Sequence, residues 1–291
     1  MNAGKNKSIP VRKLNKTNTF SPEAEKFKIR RVENIMNGND LFHDLHRHDF
    51  YFILSVQAGE GKHEIDFTVH NITDHALFFL RPGQVHQLEL KSGSSGYLLE
   101  FNAEFYHPKD QASGQRLRKA GNKNYCKLES ERFDKLHSIL ASMFDEDCSK
   151  EDGYLDAIKA NLEIFFIGYL RQGANPKTTP TVNSYTQERY EEFLDLLNQN
   201  AVTQKQVSWY TDRMNLSAYQ LNEITKTSVS KTASELINEH ILLEAKRYLL
   251  ATPNQVKEIA DQLGYEDPSY FIRFFKKHIG QSPETFRNSF R

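Results

Sequence analysis

Residues 263–287 read LGYEDPSYFIRFFKKHIGQSPETFR, and this stretch decides the architecture of the C-terminal half. Gly264 supplies the backbone freedom a tight turn needs. Pro268 suits a first helical position, where its missing N–H is not required. Phe271, Phe274 and Phe275 then recur at helical spacing and are expected in a core. Immediately upstream, Val256 to Leu263 forms a short helix whose Ile259, Ala260 and Leu263 make an apolar face, with a small residue where two helices cross closely. Helix, tight turn, helix is the layout whose second helix enters the DNA major groove. A second copy of the layout lies at Val207–Lys226 (VSWYTDRMNLSAYQLNEITK), with Ser217 as the N-cap of its second helix. Between the two, Ala233–Leu250 is periodic at 3 and 4 and stops before Pro253, because a residue preceding proline leaves the α region. A connecting helix of about 20 residues is roughly 30 Å long, close to the ~34 Å between successive major-groove faces. No repeat is visible by identity, but the architecture repeats.

The same stretch closely resembles the signature of AraC/XylS-type transcriptional regulators. Tyr265 follows the glycine, then come the acids Glu266 and Asp267, Ser269-Tyr270-Phe271, Arg273, Phe275-Lys276, Gly280 and Ser282-Pro283. Glu244–Thr252 (EAKRYLLAT) resembles the linker helix of that family, and KEIADQLGY its scaffold helix. The resemblance covers Tyr190–Arg291 and implies promoter or operator DNA as a partner. In this layout Ser217, Ala218, Tyr219, Asn222, Glu223 and Lys226 face the groove from the first recognition helix, while Leu221 and Ile224 face the core. Ser269, Ile272, Arg273, Lys276 and Lys277 do so from the second. Asn222 suits a bidentate pair with adenine, and Glu223 can accept from a cytosine amino group. Arg273 is open between a base contact and a structural pair with Glu266 or a phosphate. Tyr270 is open between packing and groove. Where many members carry Arg-x-Phe-Lys, this chain has Glu223-Ile224-Thr225-Lys226, and Ser230 replaces a common glycine. The first module is therefore expected to serve specificity more than nonspecific affinity.

The N-terminal half reads differently. Phe50–Gln57, Lys62–Phe67, Ala76–Leu80, Val85–Leu90 and Gly96–Phe101 are short aromatic and β-branched runs separated by turn residues, as in a small barrel or sandwich. Two amphipathic helices follow, with apolar faces at Phe133, Leu136, Leu140, Met143, Phe144 and at Leu155, Ile158, Leu162, Phe165, Phe166, Tyr169. They are read as a homodimer interface, with capping of the barrel as the alternative. His46-x-His48 and, later, Pro82-Gly83-x-x-His86 resemble the two motifs of cupins, although apolar residues near Phe52 and Ile53 stand where metal-binding cupins carry Glu. Three imidazoles could hold Zn²⁺ or Fe²⁺, but the reading taken is a ligand pocket, with no metal or cofactor assigned. The family resemblance makes a cupin-like barrel the effector-binding and dimerisation unit. His46, His48, Arg81, His86 and Tyr97 are the pocket candidates, suited to a polar or anionic small molecule. The basic arm Ile9–Lys16 is read as closing over the barrel or docking on the DNA-binding half, with a disordered tail as the alternative.

Composition bounds these readings. The chain has 291 residues, 38 Lys plus Arg against 38 Asp plus Glu, and two Cys. It has no apolar run near the ~18 residues needed to span a membrane. The polar, basic N-terminus lacks an apolar segment of signal-peptide type, and two thiols fit a reducing cytoplasm. Residues 185–291 hold 13 Lys plus Arg and 14 Asp plus Glu, so weak nonspecific DNA binding is expected. The fold class read is α+β multidomain: an effector-binding and dimerisation domain over 1–172, a linker over 173–184, and an all-α double helix-turn-helix domain over 185–291. The function read is an effector-controlled transcription regulator, not an enzyme, with RNA polymerase a candidate further partner. The alternative is a cupin-type metalloenzyme with a fused helical domain.

Overall fold

The computed structural model describes residues 11–14, 26–106, 110–172 and 184–290. They divide into two compact units, residues 11–172 and residues 184–290. The expected linker lies outside the described residues except at its last residue, and the basic arm is described only at residues 11–14.

The N-terminal unit opens with β1 (Val11–Arg12), β2 (Phe27–Arg31) and a short α1 (Val32–Met36). It continues through β3 (Leu41–His48), β4 (Tyr51–Ala58), β5 (Gly61–Ile65) and β6 (Thr68–Ile72) to β7 (Ala76–Leu80), β8 (Val85–Leu90) and β9 (Ser95–Phe101). Then come α2 (Gln111–Gly121), β10 (Tyr125–Lys127), α3 (Ser130–Ser149) and α4 (Tyr154–Arg171). One sheet has the order β1-β3-β8-β5-β6, the other β10-β7-β4-β9-β2. The two pack on each other through Phe52, Leu54, Phe78, Leu80 and Leu98 of the second sheet and Ile65, Leu88 and Leu90 of the first.

The second sheet is also buried on its outer face. There Ile53, Leu77, Phe79, Tyr97, Leu99 and Phe101 meet Phe133, Leu136, Leu140 and Met143 of α3 and Ile158, Leu162, Phe165, Phe166 and Tyr169 of α4. This corrects the expectation of a dimer interface on those faces. The apolar stripes of α3 and α4 cover the sheet of their own chain, because β4, β7 and β9 are apolar at successive positions and need cover on both sides. The helices are also not simply two trailing ones, since α1 and α2 belong to the unit.

The C-terminal unit is all helical: α5 (Ser184–Asn200), α6 (Val207–Met214), α7 (Ala218–Val229), α8 (Ala233–Ala251), α9 (Val256–Gln262), α10 (Pro268–Ile279) and α11 (Pro283–Ser289). The repeat hidden in the sequence is plain in its hydrogen bonds. In the first turn Asn215 N–H donates to Asp212 O and Leu216 N–H to Thr211 O; in the second, Gly264 N–H donates to Asp261 O and Tyr265 N–H to Ala260 O. Ser217 caps α7 and Asp267 caps α10. After each recognition helix a left-handed residue, Ser230 or Gly280, ends it, and two residues on Thr232 or Ser282 caps the next helix.

At Ser230 (φ 58°) the chain adopts a conformation that glycine would take freely. A side chain there costs roughly 1–2 kcal/mol. We expect Ser230→Gly to stabilise the helical unit by about 1 kcal/mol, read as a rise in its urea midpoint followed by circular dichroism; an unchanged or lower midpoint refutes the strain.

Candidate functional site

The exposed side of each recognition helix follows from what its buried side needs. On α7, Leu221, Ile224 and Thr225 are buried, which turns Ala218, Tyr219, Glu223 and Lys226 outward together with the capping Ser217. On α10, Phe271 and Phe275 are fully buried and Phe274 half so, leaving Ser269, Ile272, Arg273, Lys276 and Lys277 exposed. Tyr219 is 74% exposed and Tyr270 58%, the latter with its ring 5.9 Å from that of the buried Tyr265, so Tyr219 is open to solvent and Tyr270 combines packing with exposure. Arg273 lies 3.9 Å from Asp267, with more than half of each side chain in solvent. A pair so open and long holds the guanidinium only loosely. The acid it meets is Asp267, not Glu266.

Asn222 departs from its expected role. It is half buried, and its Oδ1 accepts from Ala233 N–H at 3.0 Å, tying α7 to the first turn of α8. The oxygen a bidentate adenine contact requires is already engaged. Arg247 and Arg287 are likewise spent inside the fold. Arg247 is buried against Glu244. Arg287 is buried and donates to Leu249 O at 2.8 Å and Asn254 O at 2.7 Å, so it ties α11 to the end of α8.

The turn before α10 is held from outside its own module. Lys205 donates to Val202 O and Gly264 O, each at 2.8 Å, and lies 4.6 Å from the centre of the Tyr265 ring. A Cβ at Gly264 would stand 2.7 Å from Val202 O, so both the turn and its neighbour demand glycine.

In the N-terminal unit the histidines converge. His46 and His48 come from β3, a polar strand without an apolar signature, and His86 from β8, paired with it in register at His46↔His86. A bulge between His43 and His46 breaks the alternation of β3. His43 can therefore face the interior together with His46 and His48, three and five residues on. The Pro82-Gly83 turn fixes the start of β8: Gly83 N–H donates to His48 O at 2.8 Å, and Gln84 bridges Arg81 N–H to Asp66. His63 on β5, which sequence reading missed, completes the group. Its Nε2 lies 2.8 Å from His86 Nδ1, and His86 Nε2 lies 2.6 Å from His48 Nε2. Burial pushes His43 and His46 down to about 4, aided by the nearby Arg12 charge, and holds His48, His63 and His86 well below the ordinary imidazole range. All are neutral at physiological pH.

Beside this group is a cavity of about 410 Å³ whose walls include His43, His48, Phe50, Phe52, Leu98, Ile35, Lys28, Arg30 and Glu100. Residues 11–14 form part of its wall, with β1 paired in parallel to β3 at Arg12↔His48. Arg81 and Tyr97 do not belong to it. Side chains alternate along a strand, so Tyr97 shares the outer face with Leu99 and Phe101, its ring 4.9 Å from His137 and 5.6 Å from Phe144 on α3. Arg81 continues the outer face of Phe79 and lies against Gly121 of α2. Of the five pocket candidates only His48 lines the cavity, which adds His43, Lys28 and Arg30; His46 and His86 are buried behind it in the histidine group with His63.

Residues 36–157 match the family model of the AraC-like ligand binding domain, and residues 210–289 that of a helix-turn-helix domain. The chain is 23% identical over 251 residues to the HTH-type transcriptional activator RhaR of Mannheimia succiniciproducens, covering 84% of this chain and 87% of that protein. It is 25% identical over 258 residues to RhaS of Pectobacterium carotovorum, covering 84% and 87%. Among solved structures, ToxT of Vibrio cholerae O395 aligns over 90% of this chain and 97% of that chain, at 14% identity and a TM-score of 0.42. The C-terminal domain of the response regulator yesN of Fusobacterium nucleatum covers 34% of this chain and 98% of that one, at 26% identity and a TM-score of 0.32. One family model falls on the two-sheet unit and the other on the paired helix-turn-helix modules, and the chain belongs to the AraC/XylS family of DNA-binding transcriptional regulators.

Proposed function

We propose that this regulator reads two major-groove elements about one helical turn apart with α7 and α10, and that a small anionic molecule in the N-terminal cavity controls that reading. The observation that carries the DNA half is the outward set Tyr219, Glu223 and Lys226 on α7 with Arg273, Lys276 and Lys277 on α10. These side chains lie at the same faces of two helices built by one repeated scaffold. A connector of 19 residues (α8) spans about 28 Å, close to the spacing of successive grooves.

The effector class follows from the cavity. Lys28 and Arg30 project from β2 on the side opposite Phe27 and Ile29, and Arg12 and Lys13 join them from the N-terminal segment. Glu100 is a single carboxylate among these cations and pairs with Arg30 at 2.7 Å. Phe50, Phe52, Leu98 and Ile35 supply apolar wall. Excess positive charge over an apolar floor suits a compact carboxylate or phosphate with a hydrophobic body. Coupling between this site and DNA is then a linkage of two binding free energies, equal in both directions. The reading includes a homodimer in the cytoplasm, contact with RNA polymerase and no catalytic step. No helix among the described residues is long and apolar enough to cross a membrane.

Selection of genomic fragments by the full chain tests the DNA half. It should enrich a motif with two elements 10–10.5 bp apart; enrichment no better than bulk DNA sinks the reading. Arg273→Ala should weaken binding by about 1–3 kcal/mol with an unchanged melting temperature. Arg287→Ala should instead lower that temperature, because it strands the buried carbonyl of Leu249 and the half-buried one of Asn254. Undiminished binding by Arg273→Ala would remove α10 from the interface. A screen of metabolites by thermal shift should yield carboxylates or phosphates whose effect is lost in Lys28→Ala; hits confined to neutral compounds would refute the charge argument.

A further inference from the structure

We propose that the inner face of the first sheet binds a divalent transition-metal ion through the imidazoles of His46, His48 and His86, with His63 fixing the orientation of His86. One ring nitrogen from each of the three lies within 4.8 Å of the other two. Zn–N bonds of 2.0–2.1 Å in a tetrahedral shell put ligand nitrogens about 3.4 Å apart. His48 Nε2 and His86 Nε2 stand 2.6 Å apart, so the two rings must swing apart by about 0.8 Å to take one ion between them.

The hydrogen bonds give the stronger argument. His46 Nδ1 lies 2.6 Å from the carbonyl oxygen of Asp44, so Nδ1 carries the proton and donates. A neutral imidazole has one donor and one acceptor, which leaves His46 Nε2 a bare lone pair. That nitrogen is buried and has no hydrogen-bond partner. A backbone carbonyl on the far nitrogen is the usual device that orients a metal-bound histidine. His48 and His86, meanwhile, point their Nε2 atoms at each other at 2.6 Å, where one proton must serve two lone pairs. The partnerless Nε2 of His46 and the facing Nε2 atoms of His48 and His86 together call for an electrophile. A cation accepts the lone pairs of all three Nε2 atoms. His86 Nδ1–H then donates to His63 Nε2, 2.8 Å away.

The chemistry selects the ion. Three neutral nitrogens with no carboxylate in the group suit Zn²⁺, Co²⁺, Ni²⁺, Cu²⁺ or Fe²⁺ and disfavour Mg²⁺ and Ca²⁺, which require oxygen ligands. Three protein ligands leave a fourth position open.

The test uses the full-length, untagged chain, stripped with EDTA and dialysed. Titration with Co²⁺ should give visible absorption of a nitrogen-ligated ion, displaced by Zn²⁺ at one equivalent per chain. His46→Gln should weaken Zn²⁺ binding at least about 100-fold. His63→Gln, which removes no ligand, should weaken it about 10–100-fold, and Cys148→Ser, an exposed thiol far from the sheet interior in sequence, should leave it unchanged. X-ray absorption of the wild-type Zn²⁺ complex keeps the proposal falsifiable should a variant fail to fold, and it should show an imidazole shell without sulfur. No stoichiometric uptake, uptake indifferent to His46→Gln, or a sulfur-containing shell would each overturn the site.

Discussion

The sheet β10-β7-β4-β9-β2 is buried on both faces, and the rest of the N-terminal unit depends on that constraint. Its central strands β4, β7 and β9 are apolar at successive positions, so α3 and α4 must cover one face while the first sheet covers the other. Because side chains alternate, odd-numbered positions of β9 are committed to the helices and Leu98 and Glu100 to the interior. A shift of one residue would exchange the two sets. The cavity can exist only because the facing sheet supplies polar residues where the second sheet supplies Phe52 and Leu98. β3 is the strand that supplies them, and its bulge at residues 43–46 is what lets His43, His46 and His48 serve the same side.

The helical unit depends on a different device, repeated fifty residues apart. A left-handed residue ends the scaffold helix, a capping side chain starts the recognition helix, and large apolar residues one turn apart seat it. Asn215 and Gly264 meet the same backbone demand with different residues, as do Ser230 and Gly280. The two helices thus present equivalent faces despite little shared identity. Each turn is also tied from outside its module: Lys205 donates to Gly264 O at the second, and Arg189 of α5 donates to Met214 O at the first.

Much of this was legible in residue patterns. The cap at Ser217, the break before Pro253, the buried Leu221, Ile224, Phe271 and Phe275, and the strands Ala76–Leu80 and Val85–Leu90 all lie where spacing and turn chemistry put them. The failures share one cause: tertiary partners do not print a period. Strand β3 was invisible because its apolar content is low; its stability comes from pairing with β8, not from its own residues. Arg81 and Tyr97 looked like pocket residues by chemical type, but the side of a strand is set by parity, not polarity. Asn222 looked like a base reader until the helix it caps was in view. The faces of α3 and α4 looked in need of a second chain because a doubly buried sheet cannot be told from a half-buried one by alternation alone.

Charge gives the last step. The neutral balance of the helical unit, 13 basic against 14 acidic residues over 185–291, overstates what DNA can meet on the basic side. Arg247 and Arg287 are buried as internal ties, Lys205 staples a turn, Lys231 binds Glu239 and Arg189 binds Glu192. The exposed cations on the recognition helices are unevenly shared: Lys226 beside Glu223 on α7, against Arg273, Lys276 and Lys277 on α10. Counterion release scales with phosphates neutralised, so in the proposed DNA reading α10 is the helix that anchors the protein to the backbone. On α7 the acid at residue 223 repels phosphate and can be tolerated only where a base edge offers it a donor. The two modules share a scaffold, and the proposed reading divides the labour between them, affinity in the second and discrimination in the first; a chain with no net charge would then bind DNA selectively because it binds the wrong DNA poorly.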